Sequence, residues 1–138
     1  MTRKITVAAL VTLCGWTMCI LLAQDSKQDS KKDQPLNKLM EHKLETSKNL
    51  LGAVAKNDFV KAGANAEELA RISLELGKRY PNNLQFQDFG KEYRNELQGL
   101  LKAVRKQNTE GMTLAYVKVT MSCFNCHTYV RETRMAMK

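Results

Sequence analysis

The chain has 138 residues, of which 43% are hydrophobic and 26% are charged, and it contains only 7 Gly and 2 Pro. This composition is typical of a globular protein, and the length is too short for two sizeable domains. The formal net charge is +8, but the basic residues are scattered among acidic ones, which gives no support to nucleic-acid binding. No carboxylate pair and no Ser/His/Asp set suggests a hydrolase.

Residues 1–23 have the pattern of an export segment. Arg3 and Lys4 precede an uncharged run of 19 residues, Ile5 to Ala23, which is the order found in signal peptides. The run is longer than the usual signal core and close to the length that spans a bilayer. It is therefore either a cleaved signal peptide or an N-terminal membrane anchor. Both alternatives predict that the rest of the chain works in the periplasm, either soluble or held at the cytoplasmic membrane.

Residues 24–35 are expected to form a disordered polar linker. Their sequence, QDSKQDSKKDQP, repeats QDSK and has no apolar side chain before Pro35, so it cannot be buried. Residues 1–23 hold two of the 22 basic residues and no acidic residue, so the remaining chain has a net charge of +6. This charge favours a partner protein with an acidic docking surface.

Four helices are expected in residues 36–138. Apolar side chains recur at spacings of three and four, and clusters of Asn, Asp, Pro and Gly separate the segments. The four segments span about residues 36–56, 59–80, 84–107 and 112–137. Short turns between helices of similar length favour antiparallel neighbours, so the sequence predicts an all-α, up-and-down four-helix bundle. Residues 116–121 would also suit a strand, but a lone strand has no pairing partner, and a helix is predicted there.

The segment Cys123-Phe124-Asn125-Cys126-His127 matches C-x-x-C-H, the attachment motif of c-type haem. The two thiols of this motif add to the vinyl groups of the porphyrin, and the imidazole binds the iron. Positions i, i+3 and i+4 share one face of a helix, so one helix presents all three groups together. Cys123 and Cys126 are the only cysteines after residue 23, and haem attachment outside the cytoplasm agrees with the export segment.

Two other uses of this motif are less consistent with the sequence. A redox C-x-x-C normally lies at a strand-to-helix junction, and no βαβ pattern is present. A structural zinc site needs four ligands, whereas the exported chain offers only Cys123, Cys126, His42 and His127, two of which are adjacent. A redox-inert helical interaction module is the remaining alternative to a haem protein.

The segment CFNCHTYVR, on the last of four helices, resembles the cytochrome c′ family and its low-spin class II relatives. The resemblance implies one covalently bound haem c, held by Cys123 and Cys126, with His127 as the proximal iron ligand. It also implies that Arg131, one turn beyond His127, lies near the proximal histidine or a haem propionate. On the residues alone, Arg131 is equally well explained as a cation near a helix C-terminus. Such bundles often form homodimers.

The resemblance places the sixth iron ligand on the first helix. Met40 is the expected ligand because it shares a helical face with Leu36, Leu44 and Leu51, and a thioether would raise the reduction potential. Core packing is the alternative for Met40. His42 would give a bis-histidine haem, but it lies about 200° round the helix from Met40, on the polar face.

The residue on this side of the iron decides the function. With Met40 bound to the iron, we expect a one-electron carrier that is not an enzyme. With an apolar residue such as Leu39 or Leu44 there, we expect an open iron that binds nitric oxide or carbon monoxide.

Overall fold

The computed structural model describes residues 35–136. It consists of four helices, α1 (Leu36–Ala55), α2 (Phe59–Arg79), α3 (Leu84–Arg105) and α4 (Thr109–Ala136), and these residues contain no strand. Each helix packs against the next one in the chain, and α1 also contacts α4, which closes the ring. This arrangement confirms the predicted up-and-down four-helix bundle.

The turn between α1 and α2 and the turn between α3 and α4 have the same geometry. In the first, Asn57 N–H donates to Val54 O and Asp58 N–H donates to Ala53 O, at 3.1 and 2.9 Å. In the second, Gln107 and Asn108 donate in the same pattern to the end of α3. These are Schellman motifs, which satisfy the last carbonyls of a helix through a left-handed residue. Asn57 and Gln107 are that residue, with φ of 53° and 48°.

Helix α4 begins at Thr109, three residues before the predicted start. The sequence from Asn108 to Gly111 reads as a turn, but only Asn108 remains outside the helix. Its side-chain oxygen accepts a hydrogen bond from Gly111 N–H at 2.9 Å, which caps the first turn. From there α4 runs without interruption through residues 116–121, as expected.

Two clusters of buried residues form the interior. The larger cluster includes Leu50, Leu69, Leu97, Leu100 and Met112 and draws on all four helices. The smaller one contains Leu39, Ile72 and Leu76, with Met40 and Phe86 packed against it. Cys123 of the C-x-x-C-H motif packs against the larger cluster.

The inward face of α1 differs from the one predicted. Leu44 and Leu51 were expected to point inward with Met40, but both are exposed. The buried apolar residues of α1 are Leu39, Leu50, Ala53 and Val54. The reason is that α1 and α4 make fewer contacts than the other neighbouring pairs. One side of α1 therefore borders an open cleft rather than a packed helix.

The predicted export segment and nearly all of the predicted linker precede the described residues. Within residues 35–136, no helix carries an apolar stretch long enough to cross a membrane.

Candidate functional site

A cleft lies between α1 and α4, the neighbouring helices that contact each other least. Its volume is about 580 Å³, which is within the range of pockets that hold small molecules and cofactors. Its apolar and sulfur-containing walls include Met40, Leu44, Leu50, Leu51, Val119, Cys123 and Phe124. The cleft is therefore suited to a flat, largely apolar group.

The C-x-x-C-H motif lies on the α4 wall of this cleft. Cys123 and His127, one turn apart, both line the cleft. Cys126 instead lines an adjoining pocket of about 30 Å³, which also contains Tyr93. Cys123 thus borders the cleft, and Cys126 borders the small pocket next to it.

The two thiols are free and partly buried. Burial raises the pKa of both Cys123 and Cys126, and the nearby ammonium of Lys43 partly offsets this effect. The thiols therefore remain protonated at neutral pH. His127 is exposed to solvent at the edge of the cleft.

Three large apolar side chains on the cleft walls are incompletely covered by the protein. The exposed fractions are 58% for Leu44, 49% for Leu51 and 59% for Phe124. Exposed apolar area grouped on a concave surface is typical of ligand-binding sites. A planar apolar ligand in the cleft would cover side chains of both helices.

Met40 lies where α1 borders both the cleft and the small pocket. It also packs against the cluster of Leu39, Ile72 and Leu76. Leu39 is buried in that cluster and does not line the cleft, whereas Leu44 does. Met40, Leu39 and Leu44 were the α1 residues considered for the side opposite His127. Of these, Met40 and Leu44 line the cleft across from His127.

His42 is engaged away from the cleft. Its Nε2 lies 2.6 Å from Glu68 Oε1 on α2, and Glu68 also accepts two hydrogen bonds from Arg71. The structure thus directs His42 toward α2, in agreement with its predicted position on the polar face.

Arg131 is exposed and donates a hydrogen bond to Thr128 Oγ1 at 2.9 Å. It does not line the cleft or the small pocket. Tyr129, two residues before Arg131, packs against Phe89, with the ring centres 5.5 Å apart.

Sequence reasoning missed two residues next to the motif. Lys43 lines both the cleft and the small pocket, and its Nζ lies 3.8 Å from the centre of the Tyr93 ring. Tyr93 is a core residue and is only 3% exposed. The sequence did contain a signal for Lys43. It follows Met40 by three residues, so its charged side chain lies on the same side of α1 as Met40.

The Tyr93 hydroxyl is buried and makes no hydrogen bond of normal geometry within the described residues. Ser47 and Cys123 nevertheless lie close enough to influence its pKa, which burial raises. A buried hydroxyl without a partner is uncommon in proteins and is a frequent mark of a functional site.

These residues fit a c-type haem. Within residues 35–136, no three His, Cys, Asp or Glu side chains come together to hold a metal ion by themselves. A haem iron needs only axial ligands from the protein. His127 could supply one from α4 and Met40 a second from α1, while the two cysteines could supply the covalent attachment.

Comparisons of the chain with protein-family models, with curated proteins and with solved structures gave no match. The functional argument therefore depends on the motif and on the cleft that surrounds it.

Proposed function

We propose that this protein is a monohaem c-type cytochrome that carries single electrons outside the cytoplasmic membrane. The observation that carries the proposal is that the C-x-x-C-H motif borders an apolar cleft of about 580 Å³. A haem, when bound, supplies a one-electron couple between ferric and ferrous iron.

The residues of the cleft have separate roles in this proposal. Cys123 and Cys126 hold the cofactor covalently, and His127 donates its imidazole from the α4 wall. Met40 donates its thioether from the α1 wall, which favours the ferrous state. Leu44, Leu51 and Phe124 exclude water, which also disfavours the more highly charged ferric state.

The redox partner is expected to present an acidic surface. The net charge of +6 after residue 23 would steer such a partner toward this protein, and salt would screen the attraction. Electron exchange with an acidic partner should therefore slow as ionic strength rises, and exchange that is independent of salt would contradict this part of the proposal.

Covalent attachment is tested by a haem stain on a denaturing gel. The full chain is produced in a bacterium that has a c-type maturation system, and a stained band at the protein's mass is expected. The paired change Cys123→Ser and Cys126→Ser should abolish the band. Cys14→Ser with Cys19→Ser is the matched control and should retain it. The proposal fails if the unaltered chain gives no band, or if the Cys123/Cys126 variant is still stained.

A gas-binding protein is the second candidate. It is favoured by the apolar side chains on the α1 wall, because Leu44, Leu50 and Leu51 cannot bind iron. Optical spectra of the ferric and ferrous protein, with and without carbon monoxide, separate the two functions. A low-spin spectrum that carbon monoxide leaves unchanged supports an electron carrier. A high-spin spectrum that shifts readily supports an open iron and the binding of small gases.

A further inference from the structure

Lys43 is a half-buried cation without a counter-ion among the described residues. Within residues 35–136, its ammonium makes no hydrogen bond or ion pair, and its close contact is with the face of the Tyr93 ring at 3.8 Å. Two other lysines, one on α1 and one in the first turn of α2, do have acidic partners. Lys48 pairs with Glu45, and Lys61 pairs with Asp58.

Such a position is costly for an ammonium group. Partial burial of an unpaired charge is unfavourable, and a cation–π contact offsets only part of that cost. Accordingly, burial lowers the pKa of Lys43, although the Cys123 and Cys126 thiols oppose the shift. The Lys43 side chain thus gives up its proton more easily than an exposed lysine does.

A neutral amine has a lone pair, and the position of Lys43 brings that lone pair to the haem motif. Lys43 lies three residues after Met40, on the same side of α1, and both residues line the cleft and the small pocket. Across the cleft lie Cys123 and His127. The α1 wall therefore offers two donors of different chemistry, a soft thioether and a harder amine.

We propose that Lys43 is a second distal ligand, which binds the ferric iron through its amine while Met40 binds the ferrous iron. This inference rests on the proposed haem function. Harder nitrogen donors favour the ferric state, and thioethers favour the ferrous state.

The exchange is balanced in electrons and protons. On oxidation, one electron leaves the iron for the redox partner, Met40 Sδ withdraws, and Lys43 Nζ releases one proton to solvent and donates its lone pair to the iron. On reduction, one electron arrives from the partner, Lys43 takes up one proton and leaves the iron, and Met40 Sδ binds again.

The test is electron paramagnetic resonance and near-infrared magnetic circular dichroism of the loaded full chain. The ferric protein should show two nitrogen ligands and lack the thioether-to-iron charge-transfer band. Lys43→Leu removes the donor, and Lys43→Arg keeps the charge but cannot donate a lone pair. Both variants should lose the amine signature in the ferric state and retain the ferrous spectrum. Met40→Leu should change the ferrous spectrum and leave the ferric one.

Lys38→Leu, an exposed lysine on the same helix, is the control and should change neither spectrum. The inference is overturned if the ferric protein shows the thioether band, or if both Lys43 variants keep the unaltered ferric spectrum. A haem stain of the same preparations separates this outcome from failure of the proposed function, which would give no covalently bound haem at all.

Discussion

The Lys43 ammonium lies 3.8 Å from the centre of the Tyr93 ring, in a small pocket that also contains Cys126. The pair places a half-buried charge over the ring of a residue whose buried hydroxyl has no hydrogen-bond partner within residues 35–136. The Tyr93 ring thus stabilises the fold by packing, whereas burial of its hydroxyl is unfavourable and is not explained by packing.

Tyr93→Phe separates the contribution of the ring to stability from that of the hydroxyl. The variant keeps the ring contact with Lys43 and removes a buried hydroxyl that makes no hydrogen bond, so the desolvation cost of that group disappears. We expect the free energy of unfolding to stay unchanged or to rise by up to about 1 kcal/mol, as measured by urea denaturation. Tyr93→Leu, which also removes the ring, is the comparison and should destabilise. A loss of stability in Tyr93→Phe similar to that in Tyr93→Leu would mean that the hydroxyl has a partner.

Met40→Leu tests whether Met40 binds the ferrous iron. If it does, carbon monoxide has to displace Met40 in the unaltered protein, and the variant should bind carbon monoxide with an apparent affinity that rises in proportion to the fraction of open iron. If binding of Met40 leaves a tenth or less of the ferrous iron open, the carbon monoxide affinity should rise about tenfold or more in the variant. An optical carbon monoxide titration measures this affinity.

Leu44→Ala is the control for this experiment, because it alters the cleft wall without removing a donor. Its carbon monoxide affinity should change much less. Equal affinities in the unaltered protein and in Met40→Leu would show that Met40 is a packing residue.

The bundle could be predicted from the sequence because its signals are local. The breaks at Asn57 and Pro81 ended the first two helices to within one residue. The motif spacing was a weaker guide, because Cys123 and His127 line the cleft whereas Cys126 lines the small pocket. The start of α4 was missed because Asn108 can begin a turn or cap a helix, and only its hydrogen bond to Gly111 distinguishes the two.

The composition of the cleft could not be predicted, because it depends on how far α1 and α4 lie apart. Helical periodicity put Leu44 and Leu51 on the side of α1 that carries Met40, which is correct. It could not show that this side borders a cleft, so both residues were wrongly expected to be buried. For the same reason Lys43 was not recognised as a neighbour of the two cysteines.

Asp58 is expected to make the stability of α2 depend on pH. Its carboxylate accepts a hydrogen bond from Lys61 N–H and pairs with Lys61 Nζ, both at 3.0 Å. The backbone hydrogen bond is the main cause of its lowered pKa. The folded protein therefore binds this proton less readily than the unfolded chain does. The stabilisation is complete above the pKa of Asp58 in the unfolded chain and is lost as pH falls through the lower folded value.

Asp58→Asn keeps an oxygen that can cap the helix but does not titrate. Urea unfolding measured through the acid range should therefore show a shallower loss of stability in this variant than in the unaltered protein. Identical acid dependence in the two proteins would rule out a contribution from Asp58.

The left-handed residues of the two Schellman turns predict a difference between matched substitutions. Gln107 has φ of 48° and Asn57 has φ of 53°, a conformation that costs most residues about 1–2 kcal/mol but suits glycine, and that Asn tolerates better than Gln. Gln107→Gly should raise the free energy of unfolding by about 0.5 kcal/mol, because relief of the strain exceeds the added entropy of glycine in the unfolded chain. Asn57→Gly should have a smaller effect, since its strain is smaller. Parallel urea unfolding of both variants measures the difference, and a larger gain at Asn57 than at Gln107 would contradict the assignment of strain to Gln107.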